Sequence, residues 1–138
     1  MTEQTEAPPP NSGIRWRRAL AGGFLIELVL TVVSVPFFAT GREADLLVVV
    51  PPATLLIAAL LGAWTARGTS RPLVNGMLAG VAAFAIYLVL ILGNVLFAPQ
   101  EPDFTAALSL PYLASHVFKV LGAAAGGWWI ARKRARIV

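Results

Sequence analysis

Four stretches of this chain, at about 18–39, 46–66, 72–97 and 106–131, carry little charge and are each long enough for the ~20 helical residues that cross a bilayer's hydrocarbon core. A run of that length and apolarity reads as a helix that crosses a membrane. Composition agrees: 57% of residues are hydrophobic and 13% charged, about half the charge with which a soluble domain covers its surface. The expected fold is all-α, a four-transmembrane-helix bundle over residues 14–138. A polar, proline-rich tail precedes it at 1–13 (MTEQTEAPPPNSG), without periodicity and expected to be disordered and cytoplasmic.

The connections TGREAD, RGTSR and APQEPDF are short, so neighbouring spans run antiparallel. Arginine and lysine then divide unequally between the two faces. One face collects Arg15, Arg17, Arg18, Arg67, Arg71, Arg132, Lys133, Arg134 and Arg136; the other has Arg42 beside Glu43, Asp45, Glu101 and Asp103. This excess of cations places both termini in the cytoplasm of a bacterial inner-membrane protein. Trp16, Trp64, Trp128 and Trp129 lie within about a turn of those cations and serve as interface anchors. A cleaved secretory signal is the rival reading of the first span. Its length and the glutamate at its middle, Glu27, both argue against that.

Pro51-Pro52 is expected in the first turn of the second span, where a missing N–H costs least. Pro36 and Pro111 belong near the outer ends of their spans, with Pro111 kinking or starting the fourth helix.

Several chemistries fall away. The chain has no cysteine and one histidine, which excludes disulfides, thiol catalysis, a zinc site and bis-histidine haem ligation within one chain. The basic residues sit in clusters between apolar runs, a topology signal that implies no nucleic-acid partner. No loop is large enough to house an enzyme's site, and no nucleophile–base constellation stands out. Neither an enzyme, a metal nor a cofactor is expected.

The two halves share landmarks. Arg18-Ala-Leu20-Ala-Gly-Gly23 and Arg71-Pro-Leu73-Val-Asn-Gly76 both read R-x-L-x-x-G; Gly62-Ala-Trp64-Thr-Ala66-Arg67 and Gly127-Trp-Trp129-Ile-Ala131-Arg132 both read G-x-W-x-A-R. They suggest a tandem repeat of two helical hairpins about an axis normal to the membrane. The frequency of Gly, Trp and Arg at inner interfaces is the competing explanation.

Each span carries one stripe of small and polar residues at helical spacing, the face that packs against other helices in lipid. The stripes are Gly23, Glu27, Thr31 and Ser34; Thr54, Ala58, Gly62 and Thr65; Gly76, Gly80, Ala83, Tyr87 and Asn94; and Tyr112, His116, Lys119, Ala123 and Gly126. Two G-x-x-x-G motifs, Gly76 to Gly80 and Gly122 to Gly126, fall at the same depth, so spans three and four should approach closely there. At ~1.5 Å per residue from the basic boundary, Glu27 lies about 14 Å deep, Lys119 about 20 Å, and Tyr87 and His116 about 24 Å. An ionised group there costs at least ~2.5–3.5 kcal/mol. The simplest relief is a Glu27–Lys119 ion pair between spans one and four, with His116 one turn away.

Two roles follow for that polar group. In the leading one it is internal glue, fixing helix register in an accessory or assembly subunit. In the alternative, Glu27, His116 and Lys119 form a proton or solute site in a small oligomeric proton-coupled transporter or channel-like protein. Its floor would lie beneath an outward vestibule flanked by Phe37, Phe38, Phe97, Phe104 and Tyr112. A pigment- or haem-associated subunit is a minor third reading, through Lys119 as a Schiff-base lysine or His116 as a single ligand. The expected partners are the lipid bilayer and a homo-oligomer or larger membrane complex.

Gly62-x-x-x-Ala66-Arg67, Gly76-x-x-x-Gly80 with Tyr87, and Gly126-Gly127 before a basic tail span the second to fourth segments. In these features the chain is similar to small, uncharacterised four-span bacterial inner-membrane proteins. The resemblance implies the fold and no activity, and Glu27, His116 and Lys119 stand outside it. Small multidrug transporters also have four spans and a first-span glutamate, but their repeats and the sequence around that glutamate differ.

Overall fold

The computed structural model describes residues 13–97 and 110–136. Apart from Gly13, the tail expected at 1–13 lies outside the described residues, and so does the APQEPDF connection. The chain forms four helices: α1 (Trp16–Ala39), α2 (Glu43–Ala66), α3 (Pro72–Phe97) and α4 (Leu110–Ala135). The turns at Gly41 and Gly68 use left-handed backbone, φ 65° and 68°, which glycine adopts without a Cβ clash.

Three helices are long and apolar enough to cross a membrane: α1, Ala44–Ala66 of α2 and Pro72–Gly93 of α3. α4 matches them in length but is the least apolar, carrying His116, Lys119 and three cations in its last turn. The bundle is inverted relative to a soluble one. Large side chains such as Phe24, Val32, Leu56, Leu60, Val89 and Leu90 lie on its surface, while its interior is built from Ala19, Ala58, Ala63, Ala66, Ala79, Ala83 and Ala123 around Ile26 and Leu30. Small residues inside and bulky ones outside are what a hydrocarbon surround selects, because lipid gives large apolar groups no reason to hide and close backbone approach rewards small ones.

The second helix differs from expectation. It begins at Glu43, so Pro51 and Pro52 lie in its third turn instead of its first. Acidic Glu43 and Asp45 favour the positive end of the helix dipole, and Arg42 Nη2 pairs with Asp45 at 2.6 Å, which extends the helix outward past the proline pair. Having no N–H, the prolines leave the carbonyls of Leu47 and Val48 without their intrahelical donors. α4 ends four residues later than expected, at Ala135; its expected start at 106 lies outside the described residues, and Pro111 stands in its first described turn.

The N-termini of α1 and α3 and the C-termini of α2 and α4 share one end. There the Arg15 N–H donates to Asn75 Oδ1 at 2.8 Å, and Asn75 Nδ2 donates to the Arg71 carbonyl at 3.0 Å. Arg18 donates to the Arg67 carbonyl at 2.8 Å and lies over the Trp64 ring at 4.8 Å. Arg134 donates to the Thr69 carbonyl at 3.1 Å. The basic end is thus cross-linked by its own arginines.

α2 packs most closely on α4, α3 on α4 and α1 on α3, and α2 also meets α1 and α3. α1 and α4 stand at opposite corners and scarcely touch. A two-fold relating the hairpins would give them the contact that α2 and α3 enjoy; the packing lacks that symmetry. Gly76 and Gly80 seat α4, as expected: a Cβ on them would fall 2.5 Å from the Ala123 carbonyl oxygen and 2.6 Å from that of Lys119. Gly122 and Gly126, expected to face α3, instead face α2 at Leu55, Ala59 and Ala63. α4 is wedged between two helices, so one edge of its small-residue stripe meets each.

Candidate functional site

Close packing on either side of the bundle carries the polar residues inward. Gly23 brings α1 against the Ala82–Ala83 backbone of α3, and Glu27 follows one turn later on the same face. Gly80 brings α3 against the backbone at Lys119 and Val120 of α4, and Tyr87 follows two turns later. On α4 itself, Ser115 and His116 lie four and three residues before Lys119, which puts both on its face of the helix.

The expected ion pair is present. Lys119 Nζ lies 2.6 Å from Glu27 Oε1, with the two residues 4% and 8% exposed. Since α1 and α4 occupy opposite corners, the four-carbon stem of the lysine spans the gap. His116 Nδ1 lies 3.2 Å from the same Nζ, which also stands 4.8 Å from the Tyr87 ring centre. The His116 ring packs against Tyr87 and Phe84, with centroids 4.2 and 5.2 Å apart. Glu27, Lys119, His116 and Tyr87 are therefore one cluster, and an ammonium sits within reach of a carboxylate, an imidazole and a π face.

The cluster lines a cavity of about 280 Å³. Glu27, Lys119, His116, Tyr87, Ser115 and Thr54 make its polar side; Leu30, Val35 and Phe38 of α1 and Leu46, Leu47, Val50 and Pro51 of α2 make its apolar side. It extends along the α1–α2 seam toward the Gly41 turn. Of the aromatic residues expected around a vestibule, Phe38 lines it; Phe37 does not, and Phe97 is exposed at the end of α3. Phe104 and the side chains of Tyr112 and Asn94 lie outside the described residues.

Two stripe residues depart from expectation. Thr31 is exposed and Ser34 half-buried; both border the same cavity, and both hydroxyls donate at 2.8 Å to carbonyls of their own helix, Glu27 and Leu30. This back-bonding satisfies them without a partner helix. Thr54 is the opposite case. It is fully buried, it borders the cavity, and its Oγ1 has no hydrogen-bond partner among the described residues. The residue spacing places Thr54 on a packed stripe without a role and gives none to Ser115, although Ser115 is the i−4 neighbour of Lys119.

Of the interface anchors, Trp16, Trp128 and Trp129 are more than half exposed at the basic end, while Trp64 is half-buried under Arg18. Among the described residues no three His, Cys, Asp or Glu side chains converge as a metal site requires. No family model matches this chain, and no curated protein or solved structure matches it either.

Proposed function

We propose that the chain is a non-enzymatic four-span protein of the bacterial inner membrane, both termini cytoplasmic, which accepts a proton or small solute in the cavity floored by Glu27, His116 and Lys119. It works as a homo-oligomer or within a larger membrane complex. One observation carries this reading: the ion pair forms part of a cavity wall instead of being sealed between helices. Glue has no need of an adjoining space, nor of a buried threonine hydroxyl left unpartnered beside it. The chemistry is a switchable cation. The Lys119 ammonium stands 2.6 Å from one partner and 3.2 Å from another, so a small swing of its stem weakens its hold on Glu27 and makes that carboxylate a proton acceptor. The polar face of α4, wedged between α2 and α3, and its basic last turn at the same end of the bundle as the arginines of α1 support its reading as a fourth span.

The test is proteoliposome flux under an imposed pH gradient. Wild type dissipates the gradient; Glu27→Gln/Lys119→Met folds and does not. Wild-type flux from a folded double variant would remove the site. A second reading, an accessory or assembly subunit, is favoured by the fact that the pair ties together two helices that otherwise scarcely touch. Under it the double variant keeps its full cellular activity.

A further inference from the structure

At the basic end, far from the ion pair, a second hollow of about 510 Å³ lies between the α2–α3 turn and the last turn of α4. Arg67, Thr69, Lys133 and Arg134 border it, as does Pro72 at the start of α3. Arg134 is steered into place by its bond to the Thr69 carbonyl. The Arg67 and Lys133 side chains are exposed and meet no hydrogen-bond or ion-pair partner among the described residues. Every carboxylate among the described residues is elsewhere: Glu27 is taken by Lys119, and Glu43 and Asp45 sit at the opposite end. Three cations thus border one hollow, and no carboxylate among the described residues balances them. Trp128 and Trp129, about half exposed one turn earlier on α4, set this hollow at headgroup depth.

We infer that this hollow binds the phosphate group of an anionic phospholipid, with Arg67, Lys133 and Arg134 around the phosphate oxygens. Arginine's fork suits phosphate bidentately, and the lysine adds a point charge. The neighbouring Arg132 is held apart, its guanidinium lying 5.2 Å over the Trp128 ring.

The test uses the full-length protein in nanodiscs of phosphatidylcholine with or without phosphatidylglycerol, counting retained lipid by native mass spectrometry. Phosphatidylglycerol is expected to be retained over phosphatidylcholine. Arg67→Gln and Lys133→Gln should each lower that preference about fivefold, while Arg67→Lys keeps most of it. Both side chains are exposed, so helical content measured by circular dichroism should not change. Arg17→Gln, which removes an exposed cation away from the hollow, should leave the preference intact. Three results would overturn the inference. These are equal retention of the two lipids, an equal loss with Arg17→Gln, or displacement of the lipid by millimolar inorganic phosphate, which would assign the hollow to soluble phosphate.

Discussion

Removing one end of the Glu27–Lys119 pair strands the other, and the size of that effect follows from the geometry. At 2.6 Å and an effective dielectric near 20, the attraction is about 6 kcal/mol. Holding two charges at this depth costs about 5–7 kcal/mol together on insertion scales. The opposing quantities nearly cancel, so replacing both residues by neutral groups of similar shape, Glu27→Gln with Lys119→Met, should change stability by less than about 1 kcal/mol. Either single change leaves an uncompensated ion and should cost about 3 kcal/mol. Glu27→Gln should be the milder of the two, because the Tyr87 ring, 4.8 Å from Nζ, still faces the ammonium. The coupling between the sites is then about 5 kcal/mol. Reversible unfolding in mixed micelles of dodecyl sulfate, followed by circular dichroism, measures it, since both head groups reach water in the unfolded state. Single costs that simply add in the double variant, with a coupling below about 0.5 kcal/mol, would refute the electrostatic account.

Three further outcomes are expected. Thr54→Val removes a buried hydroxyl that has no partner among the described residues, so the same unfolding measurement should find it neutral or about 1 kcal/mol more stable; a loss of that size would mean the hydroxyl is satisfied. Gly126→Val pushes a side chain against the α2 backbone at Ala59 and Ala63, and should cost at least about 1–3 kcal/mol. Gly93→Val, with open space around its Cβ position, should cost little in the same assay. Because the chain has no cysteine, orientation can be read cleanly with an impermeant maleimide on intact cells: Thr40→Cys should label and Ser70→Cys should not, and the reverse pattern would invert the proposed topology.

Much of this architecture is written in local pattern. Helix number, the small-residue faces and the depth of each polar group follow from residue spacing along a single helix, because rise and rotation per residue are constants of the backbone. That is why the polar stripes and their depths pair Glu27 with Lys119, 92 positions further along the chain, and why Gly76 and Gly80 read as a seat for another helix. The proline pair of α2 misled for an equally local reason. Proline favours a first turn, but two acidic residues further out offered the helix a better start.

Neighbourhood is a different kind of quantity. A stripe of glycines states that some helix comes close and leaves open which one. Gly122 and Gly126 meet α2 only because α4 is wedged between α2 and α3, an outcome of every interhelical contact at once. The cavity beside the ion pair, the unpartnered hydroxyl of Thr54 and the convergence of Arg67, Lys133 and Arg134 belong to that same level. Each is a space or an alignment between elements, and periodicity within one helix carries no term for it.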